Sequence, residues 1–519
     1  MTKPDQLSQT SLDWASAHIS KFGDTDIFPV PFEFAAIRHS WTAIKNHLAS
    51  IDLQGYQTRA PQSLLVPKSP TSFRASLQPD PFDGLVYAAL MYEAAELVEK
   101  YRVPARLGIA CSFRLQLTGD GSLFEPQAGW PTYHKRCVEL AMSNRFTHVL
   151  TTDISDFYNQ VSHHRVNNVL ESAGIASQRA KNIEIFLSNL AGSQSRGLPV
   201  GPSASIVLAE ATLDDVDKFL MSRGLTYTRY VDDFRVFCQS EHEAIEAVHA
   251  LWEYLHTAHR LVLTPSKTRL YPVKQFIELE LVDPAEEEER GKVWKLKTLI
   301  REVFENTGYA IGFEDLPDSD RNHATRENLV ELFEGAIGGR PMHLGLVRYL
   351  LRRGKQLRTV ALRKSILGNL GRLAPATREV IEYLVATVKP KDKEVAEAIL
   401  ADLTASPAGT LPFVRLWSLE LFIKIPFADM YSTVSTIAEE SRPSLGIRPI
   451  ALLAQAYGHL PWIRAQKEKW ANHSPWDRRA VICAARVLPD DERRHWCGLV
   501  KRTASDLLDR AVADWTAAV

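Results

Sequence analysis

Cysteine is scarce and scattered in this sequence. The cysteines show no CxxC spacing and are odd in number, which argues against a disulfide framework and a zinc site. The five are Cys111, Cys137, Cys238, Cys483 and Cys497. The chain also has no apolar run long enough to cross a bilayer, and its first residues lack the basic start and apolar block of a secretory signal. We therefore expect reduced thiols in a cytosolic (cytoplasmic) protein that has no membrane partner.

An excess of charge of one sign is missing as well. The 61 Lys and Arg residues balance the 62 Asp and Glu residues to a formal net charge of −1. Bulk electrostatics therefore does not indicate a nucleic-acid binder, and any such binding must come from local patches. A chain of 519 residues, 45% of them hydrophobic, is too long for one ordinary core, and we expect about two to four structural units.

The most informative stretch is an adjacent pair of carboxylates, Asp232 and Asp233. They lie between two β-prone runs, 225–228 and 234–237, which predicts a tight hairpin with an acidic tip. Neighbouring like charges repel each other, and a divalent cation is the usual compensation. The alternative is a solvated turn, because Asp is common in turns.

A third carboxylate, Asp153, follows the β-prone run 146–152. A carboxylate at the end of a buried strand is held in a fixed position, which suits an active site. Alternatively, Asp153 belongs to the turn before a helix that starts near Ser162. Further along, a Gly/Pro-punctuated loop at 196–205 leads into a predicted helix from Ser203 to Leu220, where free N–H groups suit phosphate or base edges.

The segments that flank these motifs carry cations. Residues 61–70 form a Pro/Ser-rich connection, and Lys68 and Arg74 near its end are either ordinary solvated charges or a grip on a triphosphate. A helix is predicted over 81–101. After the acidic hairpin we expect a helix over 241–259, a strand over 260–263 and a loop over 264–268 that contains Lys267.

The C-terminal half reads as helical. An acidic hinge at 283–289 predicts a domain boundary, and the helices beyond 380 have a helix-turn-helix rhythm without a firm repeat signature. A basic block between Arg348 and Arg378 is expected to bind a nucleic-acid backbone. The alternative is a helix surface that faces solvent or pairs with acidic residues elsewhere in the chain. The proposed nucleic-acid-binding residues of the block are Arg352, Arg353, Lys355, Arg358, Arg363 and Lys364.

Taken together, four motifs in order resemble those of reverse transcriptases: Asp153, the Gly197-Leu198-Pro199 loop, Tyr230-Val231-Asp232-Asp233 and Lys267-Thr268. The resemblance covers roughly residues 60–280, and the 79 residues from Asp153 to Asp232 leave room for the helices of a polymerase palm. The helical tail looks like that of bacterial abortive-infection and other defence-associated reverse transcriptases.

The resemblance implies an α+β fold with right-hand polymerase fingers and palm, a helical thumb-like region and an all-α, helical-repeat-like C-terminal domain. The expected domains are a helical extension (1–60), fingers and palm (61–283), a basic thumb-like region (284–378) and the repeat-like domain (379–519).

The chemistry implied by the resemblance is nucleotidyl transfer with two Mg²⁺ ions, or Mn²⁺ in their place. Asp153 and Asp232 would bind both ions, with Asp233 close by and the Ile154 carbonyl as a backbone ligand. Lys267 would lie near the leaving phosphates as a general acid or charge clamp. The expected nucleotide-binding residues are Lys68 and Arg74 on the triphosphate, Ile154, Tyr158 as a block to the 2′-hydroxyl, and Gly201 and Pro202 beneath template and base.

Two positions depart from the family. Val200 stands where many relatives carry Gln, and residues 276–279 lack the Phe-Leu-Gly of the common primer-grip turn. The expected partners are dNTPs, RNA or DNA, a noncoding RNA and, through the helical tail, a second copy of the chain. The alternatives are a catalytically silent RNA- or protein-binding scaffold, and an intron, retron or CRISPR reverse transcriptase. An RNA polymerase is disfavoured because Tyr158 would hinder ribonucleotides.

Overall fold

The computed structural model describes residues 4–281, 326–340 and 342–518. The chain divides into two compact units. The first takes in the chain up to Asp26, residues Leu48–Gln62 and the described chain from Leu77 to Leu281. The second takes in Ile27–His47, Ser63–Ser76 and the described chain from position 326. The N-terminal helices predicted as one extension are therefore shared between the two units.

The chain up to position 281 contains six strands and twelve α-helices among the described residues. The strands are β1 (Gln62–Ser69), β2 (Ser72–Gln78), β3 (His148–Asp153), β4 (Thr226–Tyr230), β5 (Asp233–Cys238) and β6 (Arg269–Pro272). The helices are α1 (Gln9–Phe22), α2 (Glu33–His39), α3 (Trp41–Ser50), α4 (Pro81–Tyr101), α5 (Trp130–Ala141), α6 (Phe157–Gln160), α7 (His163–Ser172), α8 (Ser177–Leu190), α9 (Ser203–Thr212), α10 (Asp214–Ser222), α11 (Glu241–Tyr254) and α12 (Val273–Phe276).

The central feature of the first unit is an antiparallel sheet with the strand order β4-β5-β3-β6. Strand β3 pairs with β5 from His148 opposite Cys238 to Asp153 opposite Asp233, and with β6 on its other side. Because β3 is an inner strand covered on both faces, Val149, Leu150 and Thr152 are all buried. The sheet therefore fixes the position of Asp153 at its end.

Helices cover the sheet and close the core. Helices α5 and α11 pack against its strands, and one buried cluster joins Tyr133 of α5, Val149 of β3, Phe237 of β5 and Phe276 of α12. In the same unit, α4 packs against α1 and α9 and is buried over most of its length. The unit is a mixed α+β fold in which helices predominate.

The second unit is helical apart from strand residues 63–69 and 72–76. Beyond position 325 its described helices are Arg326–Gly338, Leu344–Gln356, Arg363–Leu367, Thr377–Thr387, Lys393–Ala405, Pro412–Lys424, Tyr431–Glu440, Arg442–Leu445, Arg448–Ala456, Leu460–Lys467, Pro475–Ala484, Asp490–Thr503 and Leu507–Ala517. Six of them pack in a chain, each against the next: those starting at 344, 377, 412, 448, 475 and 507. These first residues are 27 to 36 positions apart, so the stacking is repeat-like.

Three local predictions were wrong. Residues 61–70 are not a loop but contain β1, in a two-stranded sheet where Pro67 is tolerated because edge strands leave N–H groups unpaired. Residues 260–263 form no strand beyond a bridge between Leu263 and Ile154. The helix predicted over 203–220 ends at Thr212, and a new one starts at Asp214, whose carboxylate accepts the Val103 N–H at 2.7 Å.

Other predictions hold or lie outside the described residues. Helix α4 has the predicted bounds of 81–101, and the acidic hairpin forms as predicted. The domain boundary expected at 283 lies outside the described residues. In the part of the chain that the structure describes, no helix is both long and apolar enough for a transmembrane span.

Candidate active site

The backbone brings the three predicted carboxylates together at one end of the sheet. Asp153, the last residue of β3, lies directly opposite Asp233, the first residue of β5. Asp232 precedes Asp233 in the turn, and its carbonyl accepts the Ile154 N–H at 3.1 Å. The acidic turn is therefore tied to the end of β3, and Asp153 is within electrostatic range of Asp232.

A two-residue loop, Val231-Asp232, joins β4 to β5. Val231 has φ of 53°, in the left-handed region, and its side chain is buried. Two-residue hairpin loops need a positive φ at their first central residue, a position that Gly usually fills. A β-branched residue there is strained, so its surroundings must hold it in place.

Two neighbours bind the Asp153 carboxylate. The Lys267 ammonium contacts Oδ2 at 2.8 Å, and the Thr264 hydroxyl donates to Oδ1 at 3.0 Å. The Thr264 N–H also donates to the Asp153 carbonyl at 2.8 Å. The segment 264–267 therefore presents its Lys to the end of β3, and the predicted role of Lys267 toward the leaving phosphates stays a prediction.

The two hairpin carboxylates differ in their electrostatic surroundings. Burial, and after it the nearby charge of Asp153, raise the pKa of Asp232 to about 6 against the opposing effect of Lys267. Burial also raises the pKa of Asp233, but the Arg235 guanidinium that contacts it acts in the opposite direction. Asp232 and Asp153 are thus two half-buried carboxylates close enough to repel each other, with Lys267 as an opposing charge beside them.

The donor set fits a hard divalent cation. Carboxylate oxygens are the ligands that Mg²⁺ prefers, and the mutual repulsion of Asp153 and Asp232 is what a cation between them would relieve. Within the described ranges, however, no group of three or more His, Cys, Asp or Glu residues is already arranged to hold a metal ion. In this structure Lys267 engages Asp153 and Arg235 engages Asp233.

Comparison with known proteins agrees with this geometry. Residues 110–288 match the family model described as reverse transcriptase (RNA-dependent DNA polymerase). The chain contains a reverse transcriptase domain. This match indicates an RNA-directed DNA polymerase, which is a nucleotidyltransferase. No curated protein sequence matches the chain.

Two similar solved structures are fungal telomerases. One is a telomerase from Candida albicans in complex with the TWJ fragment of telomeric RNA, with 13% identity, a TM-score of 0.30, and coverage of 79% of this chain and 71% of that one. The other is apo telomerase from Candida tropicalis, with 10% identity, a TM-score of 0.33, and coverage of 77% and 68%. At these TM-scores the likeness supports no further conclusion.

In the reverse transcriptase domain, the Gly/Pro loop packs beside the segment that follows Asp153. The Leu198 N–H donates to the Tyr158 carbonyl and the Gly197 N–H to the Val161 carbonyl, both at 2.8 Å. The His163 ring bonds the Gly197 carbonyl at 2.7 Å. The structure therefore brings Tyr158 of α6 next to the loop that leads through Gly201 and Pro202 into α9.

The predicted triphosphate cations are not placed with the carboxylates by any described contact. Lys68 lies on β1 and Arg74 on β2, in the part of that hairpin that belongs to the second unit. Their role toward a nucleotide remains a prediction. So does that of the Ile154 carbonyl, although the Ile154 N–H is anchored to Asp232.

Half of the predicted nucleic-acid-binding residues take part in ion pairs within the second unit. Three pairs join neighbouring helices or loops: Arg352–Glu379 at 3.1 Å, Lys355–Glu382 at 2.8 Å and Arg363–Asp392 at 3.0 Å. Arg353 is buried and donates to Gln356 at 2.7 Å. Arg358 and Lys364 are exposed, and within the described residues no ion pair involves either. Nucleic-acid binding by this block remains a prediction.

Sequence reasoning missed Arg229, Glu210 and Ser112. They form a buried polar network with Asp217 and Arg102 directly behind the acidic hairpin. A charged residue in a β-prone run is normally read as exposed, and Glu210 is the one charged residue of α9. The one available signal was the position of Arg229 immediately before Tyr230-Val231-Asp232-Asp233.

Proposed function

We propose that this reverse transcriptase domain is an active, divalent-metal-dependent DNA polymerase. The observation that carries the proposal is the antiparallel register that sets Asp153 opposite Asp233, with Asp232 in the adjoining turn. Asp153 and Asp232 would bind two Mg²⁺ ions, or Mn²⁺, with the Ile154 carbonyl and Asp233 as further contributors. Bound there, the cations would activate the 3′-hydroxyl and stabilise the leaving pyrophosphate.

Lys267 would exchange its partner when substrate binds. Its ammonium contacts the Asp153 carboxylate, which a cation would also claim. With Asp153 holding a cation, the Lys267 ammonium would be available for the anionic phosphates of the incoming dNTP. Since the Lys267 side chain is 59% exposed, it can move without disturbing the core.

Residues around the loop at 196–202 would select the substrate. Tyr158 would favour deoxynucleotides by excluding a 2′-hydroxyl, and its main chain is fixed to Leu198. Gly201 and Pro202 at the entrance to α9 would lie beneath template and base, and Lys68 and Arg74 would bind the triphosphate.

For the biological role we propose a bacterial antiphage defence system of the abortive-infection kind. The support is the repeat-like helical array of the second unit, which offers extended surface for an RNA, DNA or protein partner. In this role the polymerase would copy a noncoding RNA or prime on protein. The second unit would bind nucleic acid or a second copy of the chain.

The catalytic proposal is tested with purified protein, Mg²⁺, labelled dNTPs and a primed RNA template. We expect DNA synthesis or self-labelling by the wild type, and a loss of at least about 10³-fold in Asp232→Asn and in Asp153→Asn, because each removes a ligand charge from the transition state. Asp491→Asn, the same change at an exposed carboxylate of the second unit, should keep full activity.

Two outcomes would contradict the proposal. Full activity in Asp232→Asn would remove the two-metal site from the mechanism. A wild-type protein that binds RNA tightly yet incorporates no nucleotide would favour the scaffold function instead.

A further inference from the structure

A buried network of charged side chains lies behind the acidic hairpin. Arg229 of β4 is fully buried and forms a two-pronged ion pair with Asp217 of α10, through Nε–Oδ1 at 2.9 Å and Nη2–Oδ2 at 2.7 Å. Its Nη1 donates to Glu210 of α9 at 2.8 Å. Glu210 also accepts from Arg102 at 2.7 Å. Two cations therefore balance two carboxylates, with every side chain buried.

The network holds both polar groups of the Val231 main chain. Arg229 Nη1 donates to the Val231 carbonyl at 3.0 Å. The Val231 N–H donates at 2.9 Å to the Ser112 hydroxyl, which in turn donates to Glu210 Oε1 at 2.6 Å. The one residue of the acidic loop that has a positive φ is therefore held from both sides by the same buried network.

Ser112 itself is placed by main-chain pairing with the hairpin. Residues 109–111 run beside Arg229, whose N–H donates to the Ile109 carbonyl at 2.8 Å and whose carbonyl accepts the Cys111 N–H at 3.1 Å. The Ser112 hydroxyl is fully buried between Val231 and Glu210. It has no freedom to bond elsewhere without leaving the Val231 N–H unpaired.

Burying four charges is costly unless each is paired, and a hydrophobic cluster of the same volume would often be as stable. The specific consequence of this arrangement is the conformation of Val231. A β-branched residue does not keep a positive φ by itself, since Cβ crowds the main chain there. The loop position of Asp232, next in the chain, depends on that φ.

We propose that Ser112, Glu210 and Arg229 are positioning residues for the polymerase reaction: they hold Val231 in its left-handed conformation and so hold Asp232 at the end of β3. This inference rests on the proposed function. All three side chains are buried. They act on catalysis through the shape of the acidic loop.

The test uses full-length Ser112→Ala, which removes the acceptor of the Val231 N–H with little change in volume. We expect kcat for dNTP incorporation to fall by about 10- to 100-fold, with KM within about twofold, since the change misplaces a ligand without removing a binding contact. Calorimetric titration with Mn²⁺ alone should show binding weakened by about tenfold.

Rescue by glycine separates positioning from a merely structural role. Gly adopts positive φ without a steric penalty, so the double variant Ser112→Ala/Val231→Gly should regain at least about fivefold of the lost kcat. If Ser112 only stabilised the fold, Val231→Gly would add a second destabilising change, and kcat of the double variant would be lower than that of Ser112→Ala.

A matched control is Ser11→Ala. Ser11 is fully buried in the first unit and donates to the Glu93 carboxylate at 2.7 Å, just as Ser112 donates to Glu210. This variant should keep the wild-type kcat and Mn²⁺ affinity. Urea unfolding of each variant reports the folded fraction, to which kcat is normalised.

The outcomes are distinguishable from those that test the proposed function. An active wild type with an inactive Asp232→Asn, together with Ser112→Ala that matches Ser11→Ala, overturns the inference and leaves the polymerase proposal intact. The absence of rescue in the double variant also overturns the inference. A wild type that neither incorporates nucleotides nor binds Mn²⁺ overturns both.

Discussion

At the scale of single residues, Lys267 would offset the negative charge of the proposed cation site before a cation binds. Its ammonium contacts the Asp153 carboxylate at 2.8 Å and counteracts the high pKa of Asp232. It therefore competes for the carboxylate that a metal ion would bind. The same charge would assist departure of the phosphates once it is released from Asp153.

These two roles make opposite predictions for Lys267→Met. Mg²⁺ binding without nucleotide should tighten by a few fold, because a competing cation has been removed. By contrast, kcat should fall by about 10²-fold, because the leaving phosphates lose a positioned charge or acid. Calorimetry and single-nucleotide incorporation measure the two effects. Lys274→Met, which removes an exposed Lys from α12, serves as the control. Weaker Mg²⁺ binding in Lys267→Met would rule out the competition.

The residues of the site differ in whether the sequence alone is enough to identify them. Asp153, Asp232, Asp233 and Lys267 were predicted because carboxylates after β-prone runs, followed by a lysine in the order of a known family, form a specific pattern. The buried Arg229 was not predicted, because its role depends on Glu210 and Asp217. These two residues approach Arg229 only when α9 and α10 pack beside β4. Pairing of buried charges is a tertiary property that local patterns do not encode.

At the scale of elements, local signals predicted the acidic hairpin and α4 but not β1. Alternating β-prone residues around a two-residue loop specify a hairpin directly, whereas Pro67 and Pro70 made residues 61–70 look like a connection. The break between α9 and α10 was missed for another reason. It follows from contacts of Asp214 and Asp217 with distant residues, which override helix propensity.

The helices that carry the basic block give a further prediction at this scale. Because Arg352, Lys355 and Arg363 already pair with acids, nucleic-acid affinity should depend more on Arg358 and Lys364. The double variant Arg358→Ala/Lys364→Ala should weaken binding of single-stranded RNA and lower the slope of log K against log salt by about 1 to 1.5. Fluorescence anisotropy at several salt concentrations measures the slope.

The control for this variant removes the same amount of charge elsewhere in the second unit. Arg494→Ala/Arg502→Ala deletes two exposed arginines from the helix Asp490–Thr503. If both double variants lower the slope equally, binding follows net charge and the basic block is not a site. An unchanged slope in Arg358→Ala/Lys364→Ala would exclude these two residues from phosphate contact.

At the scale of the whole molecule, each unit has its own core and its own buried charges. In the second unit, Glu33 of α2 pairs with Arg448 at 2.7 Å and with Arg479 at 3.0 Å. These contacts join an N-terminal helix to helices more than 400 positions later in the chain. No local pattern predicts such pairing, which is why an N-terminal extension was expected in place of a helix built into the second unit.

The second unit should also have a pH dependence of its own, set by Asp509. Burial raises the pKa of this carboxyl to about 6, helped by Asp506 and opposed by Arg478. The folded value lies above the unfolded value of about 3.9, so the folded state holds the proton more tightly. The stability that protonation contributes is present at pH 4 and is lost as the pH rises through 6, by up to about 3 kcal/mol.

Asp509→Asn should remove that dependence. The variant keeps a neutral side chain at every pH, so its free energy of unfolding should exceed that of the wild type at pH 8 and approach it at pH 4. Urea unfolding followed by circular dichroism measures the difference. Asp506→Asn is not a suitable control, because Asp506 caps the helix and accepts the Leu508 N–H at 2.9 Å. Asp491→Asn, at an exposed site, is the suitable control. The opposite result would be a wild type whose free energy of unfolding increasingly exceeds that of Asp509→Asn as the pH rises. It would show that the Arg478 ion pair outweighs burial and that Asp509 is charged in the folded protein.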